Sequence, residues 1–190
     1  MKIKKFNFNI DDSFYEGVKQ LSDVLGYECS SDGINVTAIQ GDKIGVSLKE
    51  NNAIIYYRDK VHFFRGLGTL VEHVMKSDGF EVFEEGFFEN VSTMIDVSRG
   101  GVITVATAKK LIDYLALMGY NSMLLYTEDM IELEDRKYFG YMRGRYSHSE
   151  LREIDSYAYG YGIEVIPCIQ CYGHMEKYLI WPEASCVKDT

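Results

Sequence analysis

Three short apolar runs in the second half of the chain alternate with two longer amphipathic stretches. The runs are MIDVS (94–98), NSMLLYTE (121–128) and IEVIPCIQ (163–170). Strands that are apolar on both faces and are separated by helices are typical of parallel β-α-β units, because helices cover both sides of such strands. This alternation therefore predicts three parallel strands joined by two helices.

The two amphipathic stretches carry helix start and stop signals. In TVATAKKLIDYLALMG (104–119), Thr104 is a candidate N-cap and Gly119 a candidate stop. In SHSELREIDSYAYGYG (147–162) each end has two candidates, which are Ser147 or Ser149 and Gly160 or Gly162. Both stretches are therefore predicted to be helices between strands.

The first half of the chain has a different pattern. GINVTAIQ, KIGVSLKE and AIIYYR read as strands separated by turn residues, and we expect them to form an antiparallel meander. In residues 61–78, Phe64, Leu67, Val71 and Val74 have helical spacing, which predicts a helix covering one face of that sheet. Residues 1–88 are thus predicted to be a small α+β accessory domain.

Polar residues follow each of the three predicted parallel strands. They are Asp96 with Arg99, Glu128 with Asp129, and Gln170 with His174. Chemistry at the carboxyl ends of strands is typical of (β/α)₈ barrels, and the chain has no G-x-G-x-x-G turn for a dinucleotide. A full barrel takes about 250 residues. Residues 89–190 are therefore predicted to be the first three βα units of an incomplete, truncated barrel in an α/β protein.

Charge and cysteine content narrow the classes of partner. The net charge is −9 with dispersed acidic residues, which argues against nucleic-acid binding. No apolar stretch reaches the ~20 residues that span a bilayer, so we expect no membrane partner and a cytoplasmic location. Cys168 and Cys171 form a C-x-x-C without a second ligand pair, and we expect ordinary buried or half-buried thiols. No metal or other cofactor is predicted.

Several separated motifs in the chain resemble a known family. FFRGLGTLVE, MIDVSRGGVITVATAKKLIDYLALMGYNSMLLYTEDM, YFGYMRGRYS and IEVIPCIQCYGHMEKYLIWPE occur in order between residues 62 and 183. They resemble the family 20 glycoside hydrolases, and especially the bacterial exo-β-N-acetylhexosaminidases. The first sixty residues resemble that family's N-terminal accessory domain only in length and class.

The resemblance implies a reaction and a substrate. The family removes terminal β-linked N-acetylhexosamine with retention, and the substrate's own acetamido carbonyl attacks the anomeric carbon, an exception to the two-carboxylate scheme. An adjacent Asp-Glu pair after the fourth strand supports this reaction in the family. No Asp-Glu dipeptide occurs in this chain, so no catalytic residue is assigned within it, and we expect the pair downstream and the chain alone to be inactive.

Roles for individual residues also follow from the resemblance. Arg99 matches the family's arginine for hydroxyls 3 and 4 of the terminal sugar, a task that suits a planar guanidinium. Arg99 and Asp96 are the predicted substrate-binding residues, unless the two form only a local ion pair. Glu128 and His174 match a hydrogen-bonded acid and histidine near the catalytic site. Asp129 is the alternative partner of His174.

For some nearby residues the sequence allows two roles. Tyr126, Tyr172 and Trp181 either stack on a sugar or, as the better expectation, pack in the core. Arg143 and Arg145 either shape the entrance of the site or belong to a solvated loop.

Three hypotheses of function remain from the sequence. The first is the N-terminal part of a hexosaminidase, and the second is a stand-alone carbohydrate-binding or interaction module. The third is another barrel hydrolase with Glu128 as its acid. The last barrel strand would have an unpaired edge, so we also expect self-association through that edge.

Overall fold

The computed structural model describes residues 4–170 and 172–189. Its first half contains six strands and two α-helices. Their bounds are β1 Lys4–Asn9, α1 Tyr15–Leu25, β2 Tyr27–Cys29, β3 Ile34–Gln40, β4 Ile44–Lys49, β5 Asn52–Tyr57, α2 Lys60–Val74 and β6 Phe80–Glu84. The six strands form one mixed sheet in the order β2-β1-β3-β5-β4-β6.

The expected antiparallel meander is wrong in its strand order. β3 pairs with β5 in parallel, and β4 lies on the far side of β5, antiparallel to both β5 and β6. Turn residues mark where the chain reverses, but they do not determine which strand becomes the neighbour. β3 and β4 lie on either side of β5, two strand spacings or about 10 Å apart. The link from Gln40 to Ile44 can span up to about 14 Å, which is enough to cross that distance.

Helix α2 covers one face of this sheet, as its spacing predicted. Phe64 and Leu67 are fully buried, and the helix packs on β4 and β5. Its first turn is closed by a capping box, in which Asp59 accepts from the N3 backbone and the His62 ring accepts from the Asp59 backbone. Burial of the Phe64 and Leu67 side chains stabilises the fold by roughly 1.5–3 kcal/mol each.

The second half forms the predicted parallel units. Its elements are β7 Ser92–Asp96, α3 Val105–Met118, β8 Ser122–Tyr126, α4 His148–Tyr161, β9 Glu164–Cys168 and the short α5 Glu176–Leu179. β7, β8 and β9 pair in parallel in that order, with Asp96, Tyr126 and Cys168 in one register at the carboxyl ends. Closure of these strands into a barrel stays a prediction.

The predicted caps of both connecting helices are confirmed. The Thr104 hydroxyl accepts from the Thr107 backbone, and Gly119 ends α3 with a left-handed φ of 80°. For α4 the structure selects between the open alternatives: Ser147 is the N-cap, in a capping box with Glu150, and Gly162 is the stop, with φ 78°. Left-handed C-caps favour glycine because it has no Cβ.

The two halves share one hydrophobic core. Helix α2 packs on the six-stranded sheet and also on α3, and α3 packs on α4. The rings of Phe64 in α2 and Tyr161 in α4 meet edge to face with centroids 4.7 Å apart. Both side chains are fully buried, so the two sheets and α1 to α4 share a continuous interior. Phe139, Tyr178 and Ala184 form a separate small cluster.

One face of the three-stranded sheet is left partly open. Met123 and Leu125 of β8 are buried against the helices, whereas Met94, Leu124 and Ile166 form a row on the opposite face. Met94 in that row is 55% exposed. Among the helices of residues 4–170 and 172–189, none is long and apolar enough to cross a membrane.

Candidate functional site

A cleft of about 610 Å³ lies at the carboxyl ends of β7, β8 and β9. Parallel strands bring the loops that follow them to one edge of the sheet, so distant sequence positions meet there. The polar side chains that line it are Ser98, Arg99, Glu128, Arg143, His174, Glu176 and Lys177. Of the five predicted site residues, the cleft lining includes Arg99, Glu128 and His174.

Glu128 is the buried centre of this cleft. Its side chain is only 6% exposed. Its Oε1 lies 3.7 Å from Arg99 Nε and 3.9 Å from His174 Nδ1, while its Oε2 lies 3.5 Å from Arg143 Nη2. A buried carboxylate requires counter-charges, and Glu128 has a guanidinium on each oxygen.

His174 contacts Arg99 as well as Glu128. The Arg99 Nη2 atom lies 3.2 Å from His174 Nδ1. Because a guanidinium only donates, Nδ1 is the acceptor in this contact and the ring hydrogen of a neutral imidazole sits on Nε2. Arg99 itself is 64% exposed, so its guanidinium is held lightly at the mouth of the cleft.

Asp96 takes part in a different set of bonds. Its Oδ1 accepts from the Ser98 hydroxyl at 2.7 Å and from the Ser98 backbone at 2.8 Å. These hydrogen bonds lower the pKa of Asp96 from its ordinary value, with a smaller contribution from the charge of Arg99. The ion pair of Arg99 is with Glu128, so the local Arg99–Asp96 pair considered from the sequence is not the contact that forms.

Asp129 forms its ion pair with Arg143. Its Oδ1 is 2.5 Å from Arg143 Nη1, and its side chain is 3% exposed. Of the two acids expected as partners of His174, Glu128 lies within 4 Å of the ring. At 3.9 Å, and with Nδ1 accepting from Arg99, the expected hydrogen bond between them is not formed.

Arg143 is the site residue that sequence reasoning did not assign. The sequence allows either an entrance residue or part of a solvated loop at this position, yet the Arg143 side chain is only 21% exposed. It bonds Asp129, lies against Glu128 and donates to the Ser98 carbonyl at 2.8 Å. The sequence signal beside it is the pair of glycines at 140 and 144, both with φ 67°, which marks a turn on either side of Arg143.

Arg145, two residues later, belongs to the loop and not to the cleft. It donates to the Phe139 carbonyl at 2.6 Å and lies 3.7 Å from Glu132. The two arginines of one motif therefore have different surroundings, one at the carboxylates and one along the loop.

The three candidate stacking aromatics have different surroundings. Tyr172 is fully exposed, and Tyr126 is half-buried at the end of β8. Trp181 stacks on Tyr138 with centroids 4.7 Å apart and meets the Tyr141 ring edge at 5.2 Å. These rings join the loop after β8 to the loop after β9, which agrees with the packing alternative for Trp181.

Potential metal ligands do not cluster in the described residues. Cys168 is a half-buried free thiol, and Cys171 lies outside the described residues. Within residues 4–170 and 172–189, no three His, Cys, Asp or Glu side chains come together in an arrangement that would hold a metal ion.

Several solved structures have the same fold as this chain. An exo-β-N-acetylglucosaminidase of family 20 from Vibrio harveyi, in complex with N-acetylglucosamine, matches 94% of this chain with a TM-score of 0.73. The match covers 35% of that chain at 16% identity. The fold is that of the N-terminal part of family 20 hexosaminidases. The resemblance drawn from the motifs is confirmed at the level of fold.

Two further family 20 structures agree. The N-acetyl-β-hexosaminidase of Streptomyces plicatus matches 93% of this chain at 22% identity, and the β-N-acetylhexosaminidase of Bacteroides fragilis matches 98% at 20%, both with a TM-score of 0.73. The matches cover 43% and 45% of those chains, so the present chain spans less than half the length of these hexosaminidases. No protein-family model and no curated protein sequence matches the chain.

Proposed function

We propose that this chain forms the sugar-binding N-terminal portion of an exo-β-N-acetylhexosaminidase of family 20. The observation that carries the proposal is the meeting of Arg99, Glu128 and His174 in one cleft at the carboxyl ends of three parallel strands. These are the positions that the motifs assigned to the terminal sugar and to the acid–histidine pair. Their proximity on a family 20 fold supports the same role here.

The proposed ligand is a terminal N-acetylhexosamine. The Vibrio harveyi structure contains N-acetylglucosamine, and a variant of the Streptomyces plicatus enzyme was solved with GlcNAc as product. In this chain the Arg99 guanidinium is exposed and loosely held, so it is free to exchange its contacts for two adjacent hydroxyls.

The chemistry itself would require groups that this chain does not carry. Substrate-assisted hydrolysis needs one acid to orient the acetamido group and another to protonate the leaving oxygen. In residues 1–190 no Asp is followed directly by Glu, the order of the family's catalytic pair. We therefore propose that the chain binds the sugar and does not hydrolyse its glycosides unaided.

A second function is a stand-alone carbohydrate-binding module that uses the same arginine. The exposure of Arg99 favours this alternative as much as the first, because binding requires no catalytic pair. Glycosidase activity in a longer protein that contains this chain would separate the two.

A third function is another barrel hydrolase with Glu128 as its acid. If the 190-residue chain itself has any hydrolytic activity, Glu128→Gln tests this function, and full retention of activity in that variant would exclude it.

The decisive experiment is a sugar titration of the 190-residue chain. N-acetylglucosamine and N-acetylgalactosamine would be added while backbone amide shifts near residues 98–101 and 128–130 are followed by NMR. We expect saturable shifts in the wild type, their loss in Arg99→Ala and their retention in the control Arg152→Ala, an exposed arginine on α4. Absence of saturable shifts in the wild type would contradict the proposal, as would equal binding by Arg99→Ala.

A further inference from the structure

Two carboxylates are buried side by side under the cleft, and their counter-charges are unequal. Glu128 and Asp129 are 6% and 3% exposed. Arg143 reaches both of them and is itself mostly buried, whereas Arg99 reaches only Glu128, at 3.7 Å, and is largely exposed. Burying an ionised carboxylate without a partner is costly, so Arg143 supplies most of the compensation.

The two oxygens of Glu128 are divided between the two arginines. Oε2 lies against Arg143, and Oε1 faces Arg99 and His174. Arg143 also donates to the Ser98 carbonyl, next to Arg99 in the chain. It therefore ties the loop after β7 to the loop after β8 and fixes which oxygen is presented to Arg99.

We propose that Arg143 is a positioning residue that neutralises Glu128 and Asp129 and thereby leaves Arg99 available to the sugar. Without Arg143, Arg99 is the arginine still within 4 Å of Glu128. The uncompensated charge of the two buried carboxylates would then draw Arg99 inward and away from the ligand. This inference rests on the proposed function for its ligand, but it makes a claim about Arg99 that is measurable without any sugar.

The test uses the 190-residue chain with a set of matched variants. Arg143→Met removes the charge, and Asp129→Asn in the same chain removes the carboxylate that is then left unpaired. Arg145→Met is the control on the same loop, since Arg145 bonds the loop carbonyls and does not line the cleft. Arg143→Lys keeps the charge and serves if Arg143→Met does not fold.

The first readout is the mobility of the Arg99 side chain, measured by the ¹⁵N heteronuclear NOE at Nε. We expect Arg99 to be mobile in the wild type, immobilised in Arg143→Met, and mobile again in the Arg143→Met/Asp129→Asn double variant and in Arg143→Lys. Arg99 mobility that is the same in Arg143→Met as in the wild type would overturn the inference, whatever the sugar does.

The second readout is affinity for N-acetylglucosamine. We expect about tenfold weaker binding in Arg143→Met, the size of a lost charge-assisted hydrogen bond, with recovery in the double variant and no change in Arg145→Met. Equal losses in Arg143→Met and Arg145→Met without recovery would make Arg143 a loop anchor only and refute the inference. Failure of the wild type to bind would instead contradict the proposed function and leave the mobility result to decide the role of Arg143.

Discussion

The Nδ1 atom of His174 lies 3.9 Å from Oε1 of Glu128, and both residues have left-handed backbone angles, with φ 56° and 46°. Residues other than glycine rarely adopt these left-handed backbone angles, and each such residue costs of the order of 1–3 kcal/mol. The two residues follow different strands. Strain at both members of one contact indicates that the loops are held in position for the cleft at a cost to stability.

His174→Gly should therefore raise the free energy of unfolding by roughly 1 kcal/mol, because glycine adopts a positive φ without steric penalty. The side chain is more than half exposed, so little packing is lost. Urea unfolding monitored by circular dichroism measures the change. The matched control is His148→Gly at the start of α4, which should lower stability by up to about 1 kcal/mol. Equal effects of the two variants would contradict the strain argument.

The two glycines at the end of α4 should respond to alanine with opposite signs. A Cβ at Gly160 meets nothing within 4 Å, and its position is helical, so Gly160→Ala should stabilise by roughly 0.5–1 kcal/mol. A Cβ at Gly162 would lie 2.8 Å from the Lys60 Cβ at a φ of 78°, so Gly162→Ala should destabilise by about 1–2 kcal/mol. Thermal melts of both variants measure the changes, and the same sign in both would refute the assignment of Gly162 as the stop.

Ser147→Ala should lower the free energy of unfolding by about 1 kcal/mol at pH 7, because it removes the N-cap of α4. Hydrogen bonds from the Ser147 backbone and hydroxyl lower the pKa of Glu150. A lowered folded pKa stabilises the fold above the ordinary carboxyl pKa, and this stability is lost as pH falls through the folded value. The penalty of Ser147→Ala should therefore shrink between pH 7 and pH 3.

The control for this pH series is Ser149→Ala. Ser149 contacts only the Ser147 hydroxyl among the described side-chain bonds, so its loss should stay within about 0.5 kcal/mol at both pH values. A Ser147→Ala penalty that is constant with pH would show that the cap acts without Glu150.

The parallel units were the predictable part of the fold. Apolar runs, caps and glycine stops are local features, so β7 to β9, α3 and α4 follow from residues close together in the chain. The order of β3, β4 and β5 was not predictable in this way. It depends on packing between residues that are distant in the chain, since α2 covers both β4 and β5, and Val46 of β4 and Ile55 of β5 are fully buried.

The site was predictable in its members but not in its pairing. Residues after parallel strands must share one edge, which brought Arg99, Glu128 and His174 together. The separate surroundings of Glu128 and Asp129 depend on Arg143, which lies in a loop with left-handed angles at Gly140, Met142 and Gly144. The two glycines mark a turn in the sequence, but residue types alone do not show that this turn carries Arg143 to the two carboxylates.

Self-association through β9 remains a prediction. β9 hydrogen-bonds to β8 along one side, and no strand of the described residues pairs with its other side. We expect light scattering at moderate concentration to give a dimer or larger species, because an unpaired edge is a template for another chain. Ile166→Lys, on the open face of the sheet, should shift the mass toward one chain, whereas Met118→Lys at the far end of α3 should not. A wild-type mass of one chain would count against association.

The contact between Phe64 and Tyr161 has a thermodynamic consequence for ligand binding. Since the interior runs unbroken from the six-stranded sheet to α3 and α4, loss of either part exposes the apolar surface of the other, and the chain should melt in one cooperative transition. A sugar bound only by the folded cleft then stabilises every segment that unfolds with it. Amide hydrogen exchange in β3 and β5 should slow on saturation with N-acetylglucosamine, although neither strand lines the cleft.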